Sequence, residues 1–175
     1  TYVANKQKSC EQIGMYSELI KLPGETTEQE LLQAIEELNT RDDIHGILVQ
    51  LPLPKHINED AVIATISPEK DVDGFSPISV GKMMLGQDTY LPCTPFGVMK
   101  LLEHSGIEVA GKHAVIVGRS HIVGKPRGQL LLQKDATVTY THSKTNDLAS
   151  FTQQADIIIA AVGRPKFITA EHVKP

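Results

Sequence analysis

The amino-acid sequence predicts an α/β fold with two domains, of which the C-terminal one contains a parallel sheet. Three strand-forming runs, at residues 114–117, 136–141 and 155–163, alternate with segments that can form helices. The run at 155–163 lacks the in-and-out alternation of a half-exposed strand, as expected when helices cover both faces of a sheet. The β-α-β-α-β succession therefore predicts parallel strands joined by helices.

The domain boundary is predicted between Gly106 and Gly111. Residues 1–106 would form the N-terminal α/β domain and residues 107–175 a Rossmann-like domain. The chain opens without a methionine, inside a predicted helix, and its last residues stop where a further strand is expected. Both domains are therefore predicted to be truncated.

Composition and charge argue against several classes of partner. The net charge is −4 and the sequence pI is ≈ 5.9, without the basic excess typical of proteins that bind nucleic acid or anionic membranes. No apolar run approaches the ~18 residues of a membrane-spanning helix. The two cysteines, Cys10 and Cys93, and the seven histidines show no metal-ligand spacing. We expect a protein of a reducing compartment such as the cytoplasm, with no metal, nucleic-acid or membrane partner.

Apolar periodicity and capping residues predict the helices of the N-terminal domain. The predicted bounds are 2 to about 13, 28 to about 39 and 59–66. Gly14 is expected to stop the first helix. Thr27 and Glu30 have the form of a capping box at the start of the second, and Asn58 is expected to cap the third.

Two short strands and one more helix complete this domain. The strands are predicted over residues 17–22 and 44–50. Thr94 as N-cap, followed by Pro95 as the first helical residue, predicts a helix through the apolar run that ends at Leu102. This helix start gives both residues a structural reason that is independent of any function.

Several polar side chains of this domain stand where a ligand can be met. Gln50 ends a predicted parallel strand, where open α/β sheets bind ligands, although a strand-end residue that meets solvent is equally consistent. Asp71 and Asp73 face opposite ways if extended. They can form a metal pair, but without a third ligand nearby, one aspartate at a turn and the other facing a pocket is favoured. Tyr2 and Lys6 share a helix face, most simply as an aromatic ring beside a solvated ammonium.

Gly118 and Gly124 mark the turn between the first strand of the C-terminal domain and the helix that follows. A strand, a tight turn and a helix N-terminus place backbone N–H groups against a phosphate. The spacing G-x-x-x-x-x-G departs from the dinucleotide fingerprint G-x-G-x-x-G. The alternative is a doubly wound sheet that binds nothing at this loop.

The end of the second strand-forming run indicates which nucleotide is bound. Ser143 and Lys144 lie close to the ~20-residue offset at which a dinucleotide-binding unit meets the ribose. NAD-type units carry an acidic residue there, whereas the hydroxyl of Ser143 and the guanidinium of Arg119 would hydrogen-bond a 2′-phosphate. The sequence therefore favours NADP over NAD.

Five sequence segments occur in the order of one enzyme family. They are Tyr2-Val3-x-x-Lys6-x-Lys8, Gly46-Ile47-Leu48-Val49-Gln50-Leu51-Pro52-Leu53-Pro54, Lys70-Asp71-Val72-Asp73-Gly74-Phe75, Pro92-Cys93-Thr94-Pro95-x-Gly97 and Val117-Gly118-Arg119-Ser120-x-Ile122-Val123-Gly124-x-Pro126. With these segments the chain resembles the bifunctional methylenetetrahydrofolate dehydrogenase/methenyltetrahydrofolate cyclohydrolase family, the FolD-type enzymes, over essentially its whole length.

This resemblance implies a NADP-dependent enzyme that oxidises 5,10-methylenetetrahydrofolate to the methenyl compound and hydrolyses the latter to 10-formyltetrahydrofolate. It implies catalytic roles for Lys6 in proton transfer, for Gln50 in holding the lysine amine and for Asp73 in anchoring the pterin. The residues implied to contact the folate are Tyr2, Val3, Lys6, Val49, Gln50, Leu51 and Asp73. Those implied to hold NADP are Gly118, Arg119, Ser120 and Ser143, with Thr94 near the nicotinamide.

The resemblance also implies a homodimer formed through the nucleotide-binding domain. The family begins before the position of Thr1 and continues past that of Pro175 to a glycine-rich loop that touches folate. Arg127 stands where the family usually carries an apolar residue. Two alternatives remain open: a nucleotide- and folate-binding module without turnover, and an NAD-dependent dehydrogenase without the hydrolase step.

Overall fold

The computed structural model of the protein describes residues 2–120 and 124–174, with Tyr2 described by its backbone alone. The α-helices within this part of the chain are α1 Tyr2–Gln12, α2 Glu28–Thr40, α3 Glu59–Thr65, α4 Pro77–Met84, α5 Cys93–His104, α6 Gly124–Leu132 and α7 Leu148–Thr152. The strands are β1 His113–Val117, β2 Thr137–Thr141 and β3 Ile157–Ala160, and a short 3₁₀ turn covers Ala170–His172. No described helix is both long and apolar enough to cross a membrane.

The three strands form one parallel sheet in the order β2-β1-β3. The central strand β1 is buried, and its successive side chains point to opposite faces. Ala114 and Ile116 pack with Leu131 of α6 on one face, whereas Val115 and Val117 pack on the other. The predicted Rossmann-like β-α-β-α-β arrangement is confirmed.

Helix α5 packs against the helix-covered face of this sheet, although it precedes the predicted domain boundary in the chain. Val98, Met99 and Leu102 lie against the core cluster that contains Ala114 and Leu131. A separate core joins the preceding helices, and its buried members are Leu31, Ile35, Ile47, Ile57, Val62 and Ile66. Among the described residues, one apolar core thus precedes α5 in the chain, and two further apolar clusters lie on the two faces of the sheet.

The capping box predicted for α2 is confirmed. The hydroxyl of Thr27 accepts a hydrogen bond from the Glu30 amide at 3.3 Å, and the Glu30 carboxylate accepts one from the Thr27 amide at 2.8 Å. This exchange satisfies two N–H groups at the helix start. Leu31 and Ile35 then bury the apolar face of the helix.

The predicted strands of the N-terminal part are wrong in extent. No backbone of another described segment pairs with residues 17–22, and a strand cannot form without such a partner. Residues 44–50 form one parallel bridge, between Ile47 and Asp71. The partner segment turns at Gly74, which has φ +64 and donates its N–H to the Asp71 carbonyl. The ladder therefore ends after a single bridge.

Helix α4 was not predicted, although Ser76-Pro77 carries its signal. The Ser76 hydroxyl accepts a hydrogen bond from the Ser79 amide at 3.1 Å, and Pro77 is the first helical residue. This is the arrangement of an N-cap with proline at the first position. This segment has no long apolar run, so the apolar periodicity that predicted the other helices did not predict α4.

The predicted start of α5 is displaced by two residues. Pro92 is the N-cap and makes no side-chain capping bond, so Thr94 and Pro95 lie inside the first turn. The Phe96 amide donates to the Pro92 carbonyl at 3.0 Å and closes that turn. Pro95 is tolerated there because the first N–H groups of a helix have no intrahelical acceptor.

Candidate functional site

Lys6 and Gln50 are joined across 44 positions of sequence. The Lys6 Nζ on α1 donates a hydrogen bond to Gln50 Oε1 at 3.2 Å. Gln50 Nε2 in turn donates to the carbonyl of Leu51 at 3.0 Å, which turns the amide oxygen toward the lysine. Gln50 is exposed and also contacts the amine of Lys6, so its expected role in holding that amine stays a prediction.

Asp73 lies in the electrostatic field of the same lysine. Burial raises the pKa of its carboxyl, the positive charge of Lys6 acts in the opposite direction, and the negative charge of Asp71 raises the pKa further. Val49 and Leu51 line the half-buried pocket that contains Asp73. The fold therefore brings together Lys6, Gln50 and Asp73, the three residues for which catalytic roles are expected.

The neighbouring Asp71 has a structural role. It is 2% exposed and accepts hydrogen bonds from the Ser76 amide and the Ser79 hydroxyl, each at 2.8 Å. A third bond comes from the Phe75 amide at 3.3 Å. One aspartate fixes a turn and the other faces a pocket, as the sequence favoured. No group of three or more metal-ligating side chains occurs among the described residues.

Val3 and Tyr2 are the remaining residues expected at the folate side. Val3 is half-buried on α1, the helix that also carries Lys6. The side chain of Tyr2 lies outside the described residues, as do residues 121–123 of the nucleotide loop. The expected roles of Tyr2 and Val3 stay predictions.

Three glycines shape the loop after β1. Gly118 has φ +120, and a Cβ at this position would lie 2.7 Å from the Ala161 carbonyl oxygen. A Cβ at Gly124 would lie 2.6 Å from the Gly118 carbonyl oxygen, and one at Gly128 would collide with the ring of Tyr140. These are a tight turn, a close backbone approach and a close helix–strand contact, the functions of the glycines in dinucleotide-binding loops. Sequence reasoning missed Gly128, because the residue that requires a glycine there, Tyr140, lies on another element.

Ser120 closes the loop onto the start of α6. Its Oγ accepts a hydrogen bond from the Gly124 amide at 3.1 Å, and its carbonyl accepts one from the Lys125 amide at 3.0 Å. Arg119 precedes it and is exposed. Because the carboxyl ends of parallel strands meet at one edge of a sheet, Ser143, exposed in the turn after β2, lies at the same edge.

Thr94 on α5 and Arg127 on α6 are the two remaining residues singled out by the sequence. Thr94 is exposed in the first turn of α5, and no hydrogen bond within the described part of the chain joins it to the loop. Arg127 is half-buried on α6, and burial lowers the pKa of its guanidinium. Its Nε is buried without a hydrogen-bond partner among the described residues. A buried donor without an acceptor is costly, which explains why an apolar residue suits this position.

The fold and the site define a two-part α/β protein, in which a cluster of lysine, glutamine and aspartate precedes a Rossmann-like unit with a glycine loop. Residues 1–73 match the family model for the tetrahydrofolate dehydrogenase/cyclohydrolase catalytic domain, and residues 92–175 match the model for the NAD(P)-binding domain of the same family. The chain belongs to the tetrahydrofolate dehydrogenase/cyclohydrolase family.

Individual relatives agree with this assignment. The bifunctional protein FolD of Lysinibacillus sphaericus is 83% identical over 174 residues, which are 99% of this chain and 61% of the relative. The crystal structure of the FolD methylenetetrahydrofolate dehydrogenase/cyclohydrolase from Campylobacter jejuni matches 99% of this chain and 62% of that chain, with 49% identity and a TM-score of 0.96. The Trypanosoma brucei enzyme, complexed with NADP cofactor and inhibitor, matches 99% of this chain and 60% of that chain, with 38% identity and a TM-score of 0.92. The chain thus spans about 61% of the length of the curated relative.

We expect Gly124→Ala to lower the free energy of unfolding by about 1–3 kcal/mol, because the added methyl group would displace the backbone at Gly118. Urea denaturation measures this loss. Gly81→Ala is the matched control, since a Cβ at this helical glycine meets nothing within 4 Å. The control should gain about 0.5–1 kcal/mol. Equal stability of the two variants would contradict the close approach at Gly124.

We expect Asp73→Asn to remove a pH dependence of stability. Since burial raises the pKa of Asp73, the folded chain keeps a proton that the unfolded chain has lost, and the free energy of unfolding falls as pH rises from about 3.8 through the raised value. The free energy of unfolding of the variant should fall less over this pH range, and at neutral pH it should exceed that of the parent. Urea denaturation at a series of pH values measures both effects. Asp88→Asn, at an exposed position, should keep the slope of the parent; an unchanged slope in Asp73→Asn would refute this account.

Proposed function

We propose that this chain carries the active site of a NADP-dependent methylenetetrahydrofolate dehydrogenase that is also a methenyltetrahydrofolate cyclohydrolase, in one-carbon metabolism. The observation that supports this most strongly is the hydrogen bond between Lys6 and Gln50 beside the half-buried carboxyl of Asp73. The same chain contains the glycine loop of a nucleotide-binding unit. Relatives named as bifunctional FolD proteins support the same assignment.

In the oxidation step, the residues of this chain bind and align the substrate. The carboxylate of Asp73 would accept two parallel N–H bonds from the amino-pyrimidine edge of the pterin. Tyr2 would flank the folate ring, and Val3, Val49 and Leu51 would supply apolar contacts. The nitrogen lone pair beside the one-carbon bridge assists loss of hydride, so the step depends chiefly on alignment and needs little acid or base from the protein.

In the hydrolysis step, Lys6 would be the proton acceptor. Water attacks the methenyl carbon, and the amine of Lys6 would take a proton from it, which a lysine can do only in its neutral form. Gln50 would hold that amine at the place where the reacting carbon lies, by the hydrogen bond described above. The attack forms the C–O bond, and the electron pair of the C=N bond moves onto nitrogen. The bond from this carbon to N5 then breaks, the remaining hydroxyl proton passes to N5, and the product is 10-formyltetrahydrofolate.

The loop after β1 supports a dinucleotide site. Its glycines permit a tight turn and a close backbone approach, at which a Cβ would collide with the carbonyl oxygens of Ala161 and Gly118, as in dinucleotide-binding loops. We assign Gly118, Arg119, Ser120 and Ser143 to the phosphates of NADP and Thr94 to the nicotinamide side. Bound NADP would accept the hydride. The choice of NADP over NAD depends on the guanidinium of Arg119 and the hydroxyl of Ser143 in place of an acidic residue.

Oligomeric state and location are part of the proposal. We propose a homodimer that forms through the Rossmann-like unit, whose strands β2 and β3 each pair only with β1 among the described residues. We propose a cytoplasmic location. The free thiols of Cys10 and Cys93 are compatible with a reducing compartment.

A second candidate function is a binding module that takes folate and nucleotide without turnover. Binding of NADP together with absence of both reactions would support this candidate over the enzyme.

We expect Lys6→Met to slow hydrolysis of methenyltetrahydrofolate by ~10²-fold or more, because the variant lacks the proton acceptor. The decay of methenyl absorbance measures this rate. The affinity for NADP should stay unchanged in a binding titration. Lys8→Met, on the exposed side of the same helix, is the matched control and should hydrolyse like the parent. Unaltered hydrolysis by Lys6→Met would refute the assignment.

We expect Arg119→Ala to weaken NADP binding by about tenfold or more, because a charge-assisted bond to the 2′-phosphate is lost. The affinity for NAD should change little, and titration of both nucleotides measures the ratio. Lys112→Ala removes a positive charge at the opposite end of β1 and controls for bulk electrostatics. A ratio that is the same before and after Arg119→Ala would refute the phosphate contact and favour an NAD-dependent enzyme.

A further inference from the structure

Two glutamines at the C-terminal end of α6 reach the end of α4. Gln129 lies in the last turn of α6, and Gln133 follows its last residue and donates its backbone N–H to the Gln129 carbonyl at 3.0 Å. The side-chain amide of Gln129 donates to the carbonyl of Met84 at 3.3 Å, and that of Gln133 donates to the carbonyl of Met83. Carbonyls in the last turn of a helix lack intrahelical partners, so they are open to such donors.

The opposite end of α4 is fixed at the folate side of the molecule. The Ser76 amide and the Ser79 hydroxyl donate to the buried carboxylate of Asp71, as described above. Asp71 stands two residues before Asp73 and forms the bridge with Ile47. Helix α4 therefore extends from the segment that carries Asp73 to the pair of glutamines.

The opposite end of α6 carries the nucleotide loop. Gly124 is the first residue of this helix and donates its amide to Ser120. A continuous series of hydrogen bonds and rigid helices thus runs from Asp71, through α4, Gln133 and α6, to Ser120. Both ends of this series belong to the functional sites described above.

We propose that Gln129 and Gln133 are positioning residues that set the separation between the cluster of Lys6 and Asp73 and the nucleotide loop. The proposal rests on the proposed function. Hydride transfer needs the one-carbon unit and the nicotinamide at reacting distance, and a misplacement of ~1 Å costs up to ~10²-fold in rate. Hydrolysis of the methenyl compound uses the cluster around Lys6 alone, so the two reactions respond differently to a change in this separation.

The test is the double variant Gln129→Met/Gln133→Met, since methionine keeps the length of the side chain but has no N–H donor. We expect the dehydrogenase kcat to fall by about tenfold or more. Hydrolysis of supplied methenyltetrahydrofolate and the affinity for NADP should stay unchanged. Adding Gln133→Lys to the Gln129→Met variant restores a donor and should recover part of the dehydrogenase rate.

Gln153→Met is the matched control. Gln153 Nε2 donates to the backbone carbonyl of Glu171 at 2.9 Å, a bond of the same type that lies within the C-terminal part of the chain. All rates of this variant should equal those of the parent. A merely stabilising role of the two α6 glutamines would lower both activities together, whereas the proposal requires that only the dehydrogenase step be lost.

A distance measurement separates this inference from the proposed function. Spin labels at Glu36→Cys and Asn146→Cys, both exposed positions, are placed in a background with Cys10 and Cys93 replaced by serine. Pulsed dipolar spectroscopy should give a narrow distance distribution in the parent and a broader one in the double variant. An unchanged distribution, or an unchanged dehydrogenase kcat in an active protein, would overturn the inference. Absence of both reactions in the parent would instead overturn the proposed function.

Discussion

Two adjacent charged side chains, Lys70 and Asp71, fix the segment that carries Asp73 of the proposed folate site. The Lys70 ammonium donates to three backbone carbonyls at the end of α2, and these belong to Leu38 at 3.1 Å, Asn39 at 2.8 Å and Arg41 at 2.7 Å. These carbonyls have no partner within the helix, and a positive charge is favourable at that end of the helix dipole. Asp71 anchors the same segment to α4. Asp73, two residues after Asp71, is therefore held at the pocket by the anchored segment.

The C-terminal part of the fold follows closely from the sequence, because its elements are specified locally. Strands β1 and β3 are short apolar runs, β2 alternates threonine with Val138 and Tyr140, and each crossover helix lies in the chain between the two strands that it connects. The N-terminal part follows less well. Residues 17–22 have the composition of a strand. Whether a strand forms depends on a pairing partner, and the sequence around these residues does not show whether a partner is present. Helix α4 depends on its serine cap and on Asp71 more than on apolar periodicity.

The site was predictable only in part for the same reason. The spacing of Tyr2 and Lys6 placed both on one helix face, but nothing in the spacing placed Gln50 against Lys6. That assignment came from resemblance, and the contact itself arises because α1 and the segment after Ile47 meet in space. Gly128 was overlooked because its requirement lies in a distant residue, the ring of Tyr140 on β2. Close approaches between helix and strand leave no local pattern in a single sequence.

The carboxylate that precedes β3 links three parts of the C-terminal unit. Asp156 Oδ2 accepts a hydrogen bond from the amide of His113 at the start of β1 at 2.9 Å, and Asp156 Oδ1 lies 2.7 Å from the ammonium of Lys174. The bonds from Lys174 and from the His113 amide lower the pKa of the Asp156 carboxyl. Both links weaken when this carboxylate takes up a proton in acid, so acidification loosens the start of the sheet and the end of the chain together.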